Sequence, residues 1–538
     1  LTDDGTWTGN ITLSLAGSRT ITATNNAKTG NDAITITAGA ASAPDASISA
    51  VSPSPATAGS SVTITVTAYD EFQNALASGG ATVVINVGGA NTAAPSVTDN
   101  SDGTYTATYT PTASGTDNIT GTINGPAIGT DGDGTSDGTY NLTVNPGAAS
   151  YLKVTGTASM TAGATNELTI TAYDASNNVA TAYTGVKSLT FSGPGTAPDS
   201  TGPRVETTAI GTAFNVTFTA GVSVADAATL TAYKAESISV DVTEGSINST
   251  GDASYDLDLT VSEGSANNLA YNQHPTNTVA DLPLTPAITV QVRDQWNNVR
   301  ISDSNTSVGI AINTNPPGDG TLSGTTPQTA SSGIATFGDL SIDKTGDGYT
   351  LDATSGGLTT ATSSGFNITS ATIQFTSTSS SGAEGTTPAN LELTLSVVSV
   401  QDVTVDYALS GTATGSGTDY TLAAGTAIIT AGSTTTNISA TIVDDSLVEA
   451  NETIVVTISN PTNATLGTNT VHTYTISDND ASPTIQFTSA SSSGDEGTTP
   501  VNLELTLSVV SAQDVSVDYA VTGGAATGSG TDYTLTAG

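Results

Sequence analysis

The sequence predicts an all-β chain of tandem antiparallel sandwiches, and three observations lead to that fold class. Apolar residues alternate with Thr in short runs such as Val62–Thr67, and this period of two is typical of strands with one buried face. Such runs recur roughly every eight to twelve residues, separated by turn residues. Residues 371–422 also return almost unchanged as residues 483–535, with Ile373 and Ile485 offset by 112 residues. A repeat of that length indicates whole domains rather than solenoid rungs.

Linkers of small residues divide the chain into units. They lie at residues 38–42, 145–150 and 263–266, each between a strand-like run and a fresh apolar run. The complete units are 104 to 115 residues long, close to the roughly 100 residues of an immunoglobulin-like sandwich. The predicted units are 1–45 (the C-terminal half of a domain), 46–149, 150–264, 265–370, 371–482 and 483–538 (the N-terminal half of a domain). The predicted fold class is therefore a tandem array of antiparallel immunoglobulin-like β-sandwich domains.

The charge balance excludes several function classes. The chain has 9 Lys and Arg residues against 49 Asp and Glu residues, a net charge of −40. Phosphate binding needs clustered Lys and Arg, so nucleic acid is not an expected partner. The sequence contains no Cys, which excludes disulfides and thiolate metal sites, and no apolar run is long enough for direct membrane insertion. The carboxylate excess favours divalent cations or, for most of these residues, simple solubility.

Three of the units share a motif in which a strand ends in Asp and an Asn follows four residues later. The pairs are Asp70 with Asn74, Asp174 with Asn178, and Asp294 with Asn298. Short polar side chains at a strand end commonly bond the backbone of their own loop, so we expect these pairs to cap their loops. Catalysis is not expected there, because no base or nucleophile accompanies the pairs.

The Asp-x3-Asn motif and the segment Asp102–Pro111 together resemble the filamin-type and invasin-type immunoglobulin-like repeats of bacterial surface proteins. Asp4–Trp7 is related to the start of that segment. The resemblance covers roughly residues 1–370. It implies the sandwich architecture and a spacer function, since such repeats mostly separate other parts of a surface protein.

The C-terminal repeat resembles a different family, the Calx-beta domain. Four features match in order: Glu384-Gly385, Gly417–Tyr420, Val443–Thr453 and Ile476–Asp480. The resemblance covers residues 371–482 and, in truncated form, residues 483–538.

The resemblance to Calx-beta domains implies a calcium site, because carboxylates from these motifs converge at one end of the sandwich in the members that bind calcium. The implied metal ligands are Glu384, Asp419, Asp444, Asp445, Glu449, Asp478 and Asp480. Ca²⁺ takes six to eight oxygen ligands, and an affinity of about 10⁻⁴–10⁻³ M is expected for an extracellular module. Glu452 is a further candidate, although its place on a strand also fits a solvated face. The alternative for the whole set is turn and edge chemistry without metal.

The remaining candidate segments and side chains predict neither a second metal site nor a catalytic site. Asp131–Gly138 has the oxygen spacing of half a calcium loop, but Leu142 stands where a bidentate Glu is needed, so a glycine-rich hairpin loop is predicted. His472 has no nucleophile elbow or oxyanion glycine run nearby, so we expect an exposed strand residue there rather than a catalytic one. No catalytic role is expected for His274, which stands beside Pro275. Trp7 and Trp296 are assigned to packing or turn rims. No enzymatic activity is predicted.

These inferences predict a structural stalk or filament segment of a large secreted or cell-surface repeat protein of the adhesin class, stiffened by calcium. Its expected location is extracellular or at the cell surface. Its expected partners are a surface or matrix ligand and, through self-association into filaments, other copies of the chain. The alternatives are a binding module for a surface glycan or protein, and the non-catalytic arm of a secreted hydrolase.

Overall fold

The structure, a computed structural model, describes residues 8–25, 28–135 and 137–538. In these ranges the regular elements are β-strands and no α-helix is present, so the predicted all-β fold class is confirmed. No helix among the described residues is long and apolar enough to cross a membrane. The chain divides into two units, which are Leu1–Ala266 with Arg293–Arg300, and Asn267–Val292 with Ile301–Gly538.

The first unit begins with an antiparallel hairpin of β1 (Gly17–Asn25) and β2 (Lys28–Ile36). The Asp4–Trp7 segment precedes the hairpin and lies outside the described residues.

The next nine strands form a sandwich of two sheets. Their bounds are β3 (Ser47–Ser52), β4 (Ala56–Thr57), β5 (Val62–Thr67), β6 (Val83–Gly89), β7 (Val97–Asp99), β8 (Thr104–Tyr109), β9 (Gly115–Ile123), β10 (Thr130–Asp131) and β11 (Tyr140–Asn145). One sheet has the order β10-β3-β5-β8-β7 and the other β4-β11-β9-β6. The alternating pattern of β5 has the predicted effect, because Val62, Ile64 and Val66 are fully buried and the Thr residues between them are not.

A second sandwich in the first unit has its own core around Ile170, Phe191 and Phe218. Its strands are β12 (Tyr151–Thr155), β13 (Ser159–Thr161), β14 (Thr165–Glu167), β15 (Thr169–Tyr173), β16 (Gly185–Ser192), β17 (Arg204–Val205), β18 (Thr208–Ala209), β19 (Ala213–Thr219), β20 (Val222–Ser223), β21 (Thr229–Thr231), β22 (Glu236–Glu244), β23 (Ile247–Asn248) and β24 (Leu257–Ser262). The larger sheet has the order β12-β15-β20-β19-β16-β22-β24-β13, with β23 paired to β22, and the smaller β14-β21-β17-β18.

The second unit opens with three small sheets. Their strands are β25 (Asn268–Gln273), β26 (Thr278–Val279), β27 (Ile288–Arg293), β28 (Ser307–Thr314), β29 (Leu322–Ser323), β30 (Gln328–Thr329), β31 (Ile334–Phe337), β32 (Ser341–Ile342), β33 (Gly346–Thr354), β34 (Ala361–Thr362) and β35 (Phe366–Thr369). The orders are β25-β27-β31, β26-β35-β33-β28-β30 with β34 on β33, and β29-β32.

The C-terminal sandwich carries the candidate site. Its strands are β36 (Ala371–Phe375), β37 (Ser379–Ala383), β38 (Ala389–Leu395), β39 (Val403–Gly411), β40 (Tyr420–Thr421), β41 (Gly425–Ile429), β42 (Thr435–Ile442), β43 (Glu452–Thr462), β44 (Ala464–Leu466) and β45 (Val471–Ser477). Two five-stranded sheets, β40-β42-β38-β36-β44 and β37-β45-β43-β39-β41, enclose a core that includes Phe375. In the second copy of the repeat, β46 (Ile485–Phe487) pairs with β47 (Leu505–Leu507).

Candidate metal centre

Strand pairing gathers carboxylates at one end of the C-terminal sandwich. β37 and β45 run parallel with Ala383 opposite Ser477, so Glu384 and the segment after Ser477 leave the sheet side by side. The backbone N–H of Glu384 donates to the Ser477 carbonyl at 3.1 Å. β40 pairs with the end of β42, and the N–H of Val443 donates to the Asp419 carbonyl at 2.9 Å. The motifs are therefore brought together by the backbone.

Two groups of three carboxylates result, which we call group A and group B. Group A is Glu384, Asp445 and Asp480, and group B is Asp419, Glu449 and Glu452. In each group one oxygen from every residue lies within 4.8 Å of the others. The groups contain five of the seven predicted ligands and add Glu452.

The two remaining predicted ligands, Asp444 and Asp478, lie outside both groups and accept hydrogen bonds within the loops. One oxygen of Asp478 accepts the N–H of Glu449 at 3.0 Å, and the other accepts the N–H of Asp480 at 2.9 Å. The Asp478 carboxylate therefore bonds the backbone of one residue from group A and one from group B. Asp444 Oδ1 accepts a bond from Asn479 Nδ2 at 3.1 Å.

Glu452 is partly buried beside other carboxylates and does not lie on a fully solvated face. It begins β43 opposite Ile476, and its carboxylate lies in group B. Glu452 Oε2 and Asp480 Oδ2 are buried atoms without a hydrogen-bond partner among the described residues. Burying a carboxylate oxygen costs free energy unless a hydrogen-bond donor or a cation compensates it. Each group contains one such oxygen, which a bound cation would compensate.

The electrostatics of the site oppose full ionisation in the absence of a cation. Burial, followed by the charges of Asp478 and Asp445, raises the pKa of Glu384 to about 7. Burial and the neighbouring Asp419 raise the pKa of Glu452 to about 7 as well. Burial and nearby carboxylates also raise the pKa of Glu449 and of Asp480. Like charges held this close favour either protons or a bound cation.

The donor set fits calcium. Both groups consist of carboxylates alone, and hard oxygen donors from separate loops suit Ca²⁺, whereas Zn²⁺ and Cu²⁺ favour imidazole or thiolate.

Two family models match parts of the chain. The Calx-beta domain model matches residues 369–480 and 478–538, and the model of invasin domain 3 matches residues 43–141. The chain carries Calx-beta domains preceded by an immunoglobulin-like domain of the invasin domain 3 type. Neither matching model describes an enzyme. None of the curated proteins compared with the chain matches it.

Solved structures of similar chains include an Escherichia coli adhesin, FdeC, at 21% identity, covering 61% of this chain and 99% of that one with a TM-score of 0.32. Apo Calx CBD1 is 20% identical, covering 21% of this chain and 99% of that one, with a TM-score of 0.20. Invasin, titled a bacterial integrin-binding protein, is 14% identical, covering 68% and 67%, with a TM-score of 0.29. At TM-scores below 0.5 these likenesses carry no argument about this chain's function.

The prediction that His472 is exposed is wrong. His472 is 3% exposed and lies on the same inward face of β45 as Tyr474 and Ile476. Its Nδ1 donates to the Ser377 carbonyl at 2.5 Å, so in the neutral ring Nε2 accepts from Ser380 Oγ at 2.7 Å. The imidazole thus ties the segment around β37 to β45. The alternating pattern of β45 could have predicted the buried position, because His472 shares its parity with the apolar residues Tyr474 and Ile476.

The Asp131–Gly138 loop has the hydrogen bonds of a turn. One oxygen of Asp133 accepts the N–H of Asn141 at 2.8 Å and the other that of Thr135 at 3.0 Å. Ser136 lies outside the described residues. Trp296 packs against the core of the second sandwich, whereas Trp7 is not among the described residues.

Proposed function

We propose that this chain is a stalk or filament segment of a large cell-surface or secreted adhesin, with its ligand a component of a surface or matrix. The observation that carries the proposal is the succession of β-sandwiches. The sandwiches of β3–β11, β12–β24 and β36–β45 each close around a separate core, as spacer modules do. The invasin domain 3 and Calx-beta matches support it. The proposed domains are the six units given by the linkers.

Calcium is the proposed cofactor of the Calx-beta domain. Groups A and B would hold it, and Ca²⁺ would supply positive charge that cancels the mutual repulsion of their carboxylates. Asp478 would fix the position of one group relative to the other through its bonds to the N–H groups of Glu449 and Asp480. Asp444 and Asp478 both remain part of the proposed ligand set.

The loop between Asp444 and Glu452 also touches the second copy of the repeat. Val448 pairs with Ser511 in a parallel bridge, and the N–H of Ala512 donates to the Val448 carbonyl at 3.1 Å. A cation that orders this loop would therefore also restrict the segment of the second copy that contacts Val448. We propose that calcium stiffens the connection between the two copies.

Solution scattering tests the stalk. A globule of 538 residues would have a radius of gyration of about 24 Å. We expect a value at least about twice as large for the full chain, because successive sandwiches joined by short linkers cannot merge into one core. A value near that of the globule would contradict the proposal.

A further inference from the structure

Three loops in the first unit share one internal hydrogen-bond pattern, and we call residues 70–74, 174–178 and 294–298 the latch loops. In each, Oδ1 of the Asp accepts the N–H groups two and four residues later, at 2.8 to 3.0 Å. The amide Nδ2 of the Asn donates to Oδ2 of the same Asp at 2.8 to 2.9 Å. This is the loop capping that the sequence predicts, and it fixes the orientation of the Asn amide.

The Asn amide also makes a pair of bonds that the sequence did not predict. Its Nδ2 donates to a backbone carbonyl some 60 residues earlier in the chain, and its Oδ1 accepts the backbone N–H two residues after that carbonyl. Asn178 bonds the Thr112 carbonyl at 2.7 Å and the Ser114 N–H at 2.8 Å. The corresponding pairs are Ser14 and Ala16 for Asn74, at 2.7 and 2.8 Å, and Tyr233 and Ala235 for Asn298, at 2.8 and 2.9 Å.

The Asp of each latch loop binds the linker as well. Oδ2 accepts the N–H of the linker glycine at 2.7 to 2.8 Å, which is Gly39 for Asp70, Gly147 for Asp174 and Gly264 for Asp294. A Cβ on Gly147 would stand 3.3 Å from the Cβ of Asp174, so glycine permits this close approach. All of these residues belong to the first unit.

We propose that the latch loops of residues 70–74 and 174–178 set the angle between their own sandwich and the segment before its linker. Asn178 would be the positioning residue that locks the sandwich of β12–β24 to the sandwich of β3–β11. The inference rests on the proposed stalk, whose stiffness it explains in the first unit without a metal.

The chemistry explains why these residues are Asn and Asp. A primary amide carries one acceptor and two donors, so Asn can bond a carbonyl, an N–H and the Asp carboxylate together, much as a neighbouring strand would. Burial alone would raise the pKa of Asp70, but hydrogen bonds from Gly39, Asn74 and Phe72 outweigh it and lower the pKa to about 2. Burial would also raise the pKa of Asp174, but hydrogen bonds from Asn178, Gly147 and Ser176 outweigh it and lower that pKa. The latch hydrogen bonds therefore favour the charged form of Asp70 and of Asp174.

Distances between two spin labels in the full chain test the latch. The chain has no Cys, so Thr98→Cys and Thr217→Cys, at exposed strand positions of the two sandwiches, give two defined label sites. Asn178→Ala removes the amide. Ser114→Pro removes the N–H donor and leaves the latch loop itself intact. Asn118→Ala, at an exposed position of β9, is the matched control.

We expect a narrow distance distribution in the unsubstituted and control chains, and at least a twofold increase in its width in both latch variants, with the same result in calcium and in chelator. Thermal transitions of the two sandwiches in Asn178→Ala and Ser114→Pro should show that both remain folded. Distributions as narrow in both variants as in the unsubstituted chain would overturn the latch. The outcome is separable from that of the stalk, because a globular radius of gyration with latch-dependent widths would overturn only the stalk.

Discussion

Phe375→Ala is expected to lower the free energy of unfolding of the first Calx-beta domain by about 3–5 kcal/mol, since removing a buried ring costs its burial energy and leaves a cavity. Phe375 is fully buried in the core between the two five-stranded sheets. Native-state hydrogen exchange of β38 and β42 in the full chain measures the change for this domain alone.

The sequence supplies its own matched control for that substitution. Phe487 ends the same Ile-Gln-Phe segment in the second copy, but it is 54% exposed. Phe487→Ala should therefore change the exchange of β38 and β42 by less than about 0.5 kcal/mol. Equal effects of the two substitutions would show that the core of the first Calx-beta domain is not the one described.

Millimolar Ca²⁺ is expected to raise the melting temperature of the first Calx-beta domain by roughly 5–15 °C. With a Kd of about 10⁻⁴–10⁻³ M, 10 mM Ca²⁺ adds about 1.4–2.7 kcal/mol to the folded state, and domains of this size gain several degrees per kcal/mol. The physical reason is that the ion pairs with the carboxylates of groups A and B only when the fold brings them together. Calorimetry in Ca²⁺ and in chelator measures the shift.

Charge removal within the groups should abolish this shift. Asp445→Asn takes one charge from group A and Glu452→Gln one from group B, and both should raise the melting temperature in chelator because they relieve repulsion. Glu392→Gln, at an exposed position of β38, removes one charge elsewhere in the domain and should leave the shift intact. A full Ca²⁺ shift in the doubly substituted chain would remove both groups from the proposed site.

The strands and their inward faces were predictable because alternation is a local pattern. The run Val62–Thr67 became β5 with the predicted burial. The linkers predicted at 145–150 and 263–266 do follow strands, which end at Asn145 and Ser262.

Contacts between distant segments were less predictable. The metal ligands were inferred from a family pattern, and pairing of β43 with β45 was needed to place Glu452 among them. The partners of Asn178 are the backbone groups of Thr112 and Ser114, and a backbone group leaves no signature in the sequence. His472 could have been placed by parity with Tyr474, but its bonds to Ser377 and Ser380 follow only from the placement of β37 beside β45.

Calcium titration of the purified chain by calorimetry, at pH 8 and at pH 6, tests the proposed site most directly. Saturable binding is expected at pH 8 with a Kd of about 10⁻⁴–10⁻³ M. The pKa values of Glu384 and Glu452 are raised to about 7, so both are mainly protonated at pH 6 and must release protons to bind the ion, which should weaken binding about tenfold for each carboxyl that does so. Absence of calcium-dependent heat at pH 8 up to about 10 mM, a concentration well above the expected Kd, would contradict the account and reduce the carboxylates to turn chemistry.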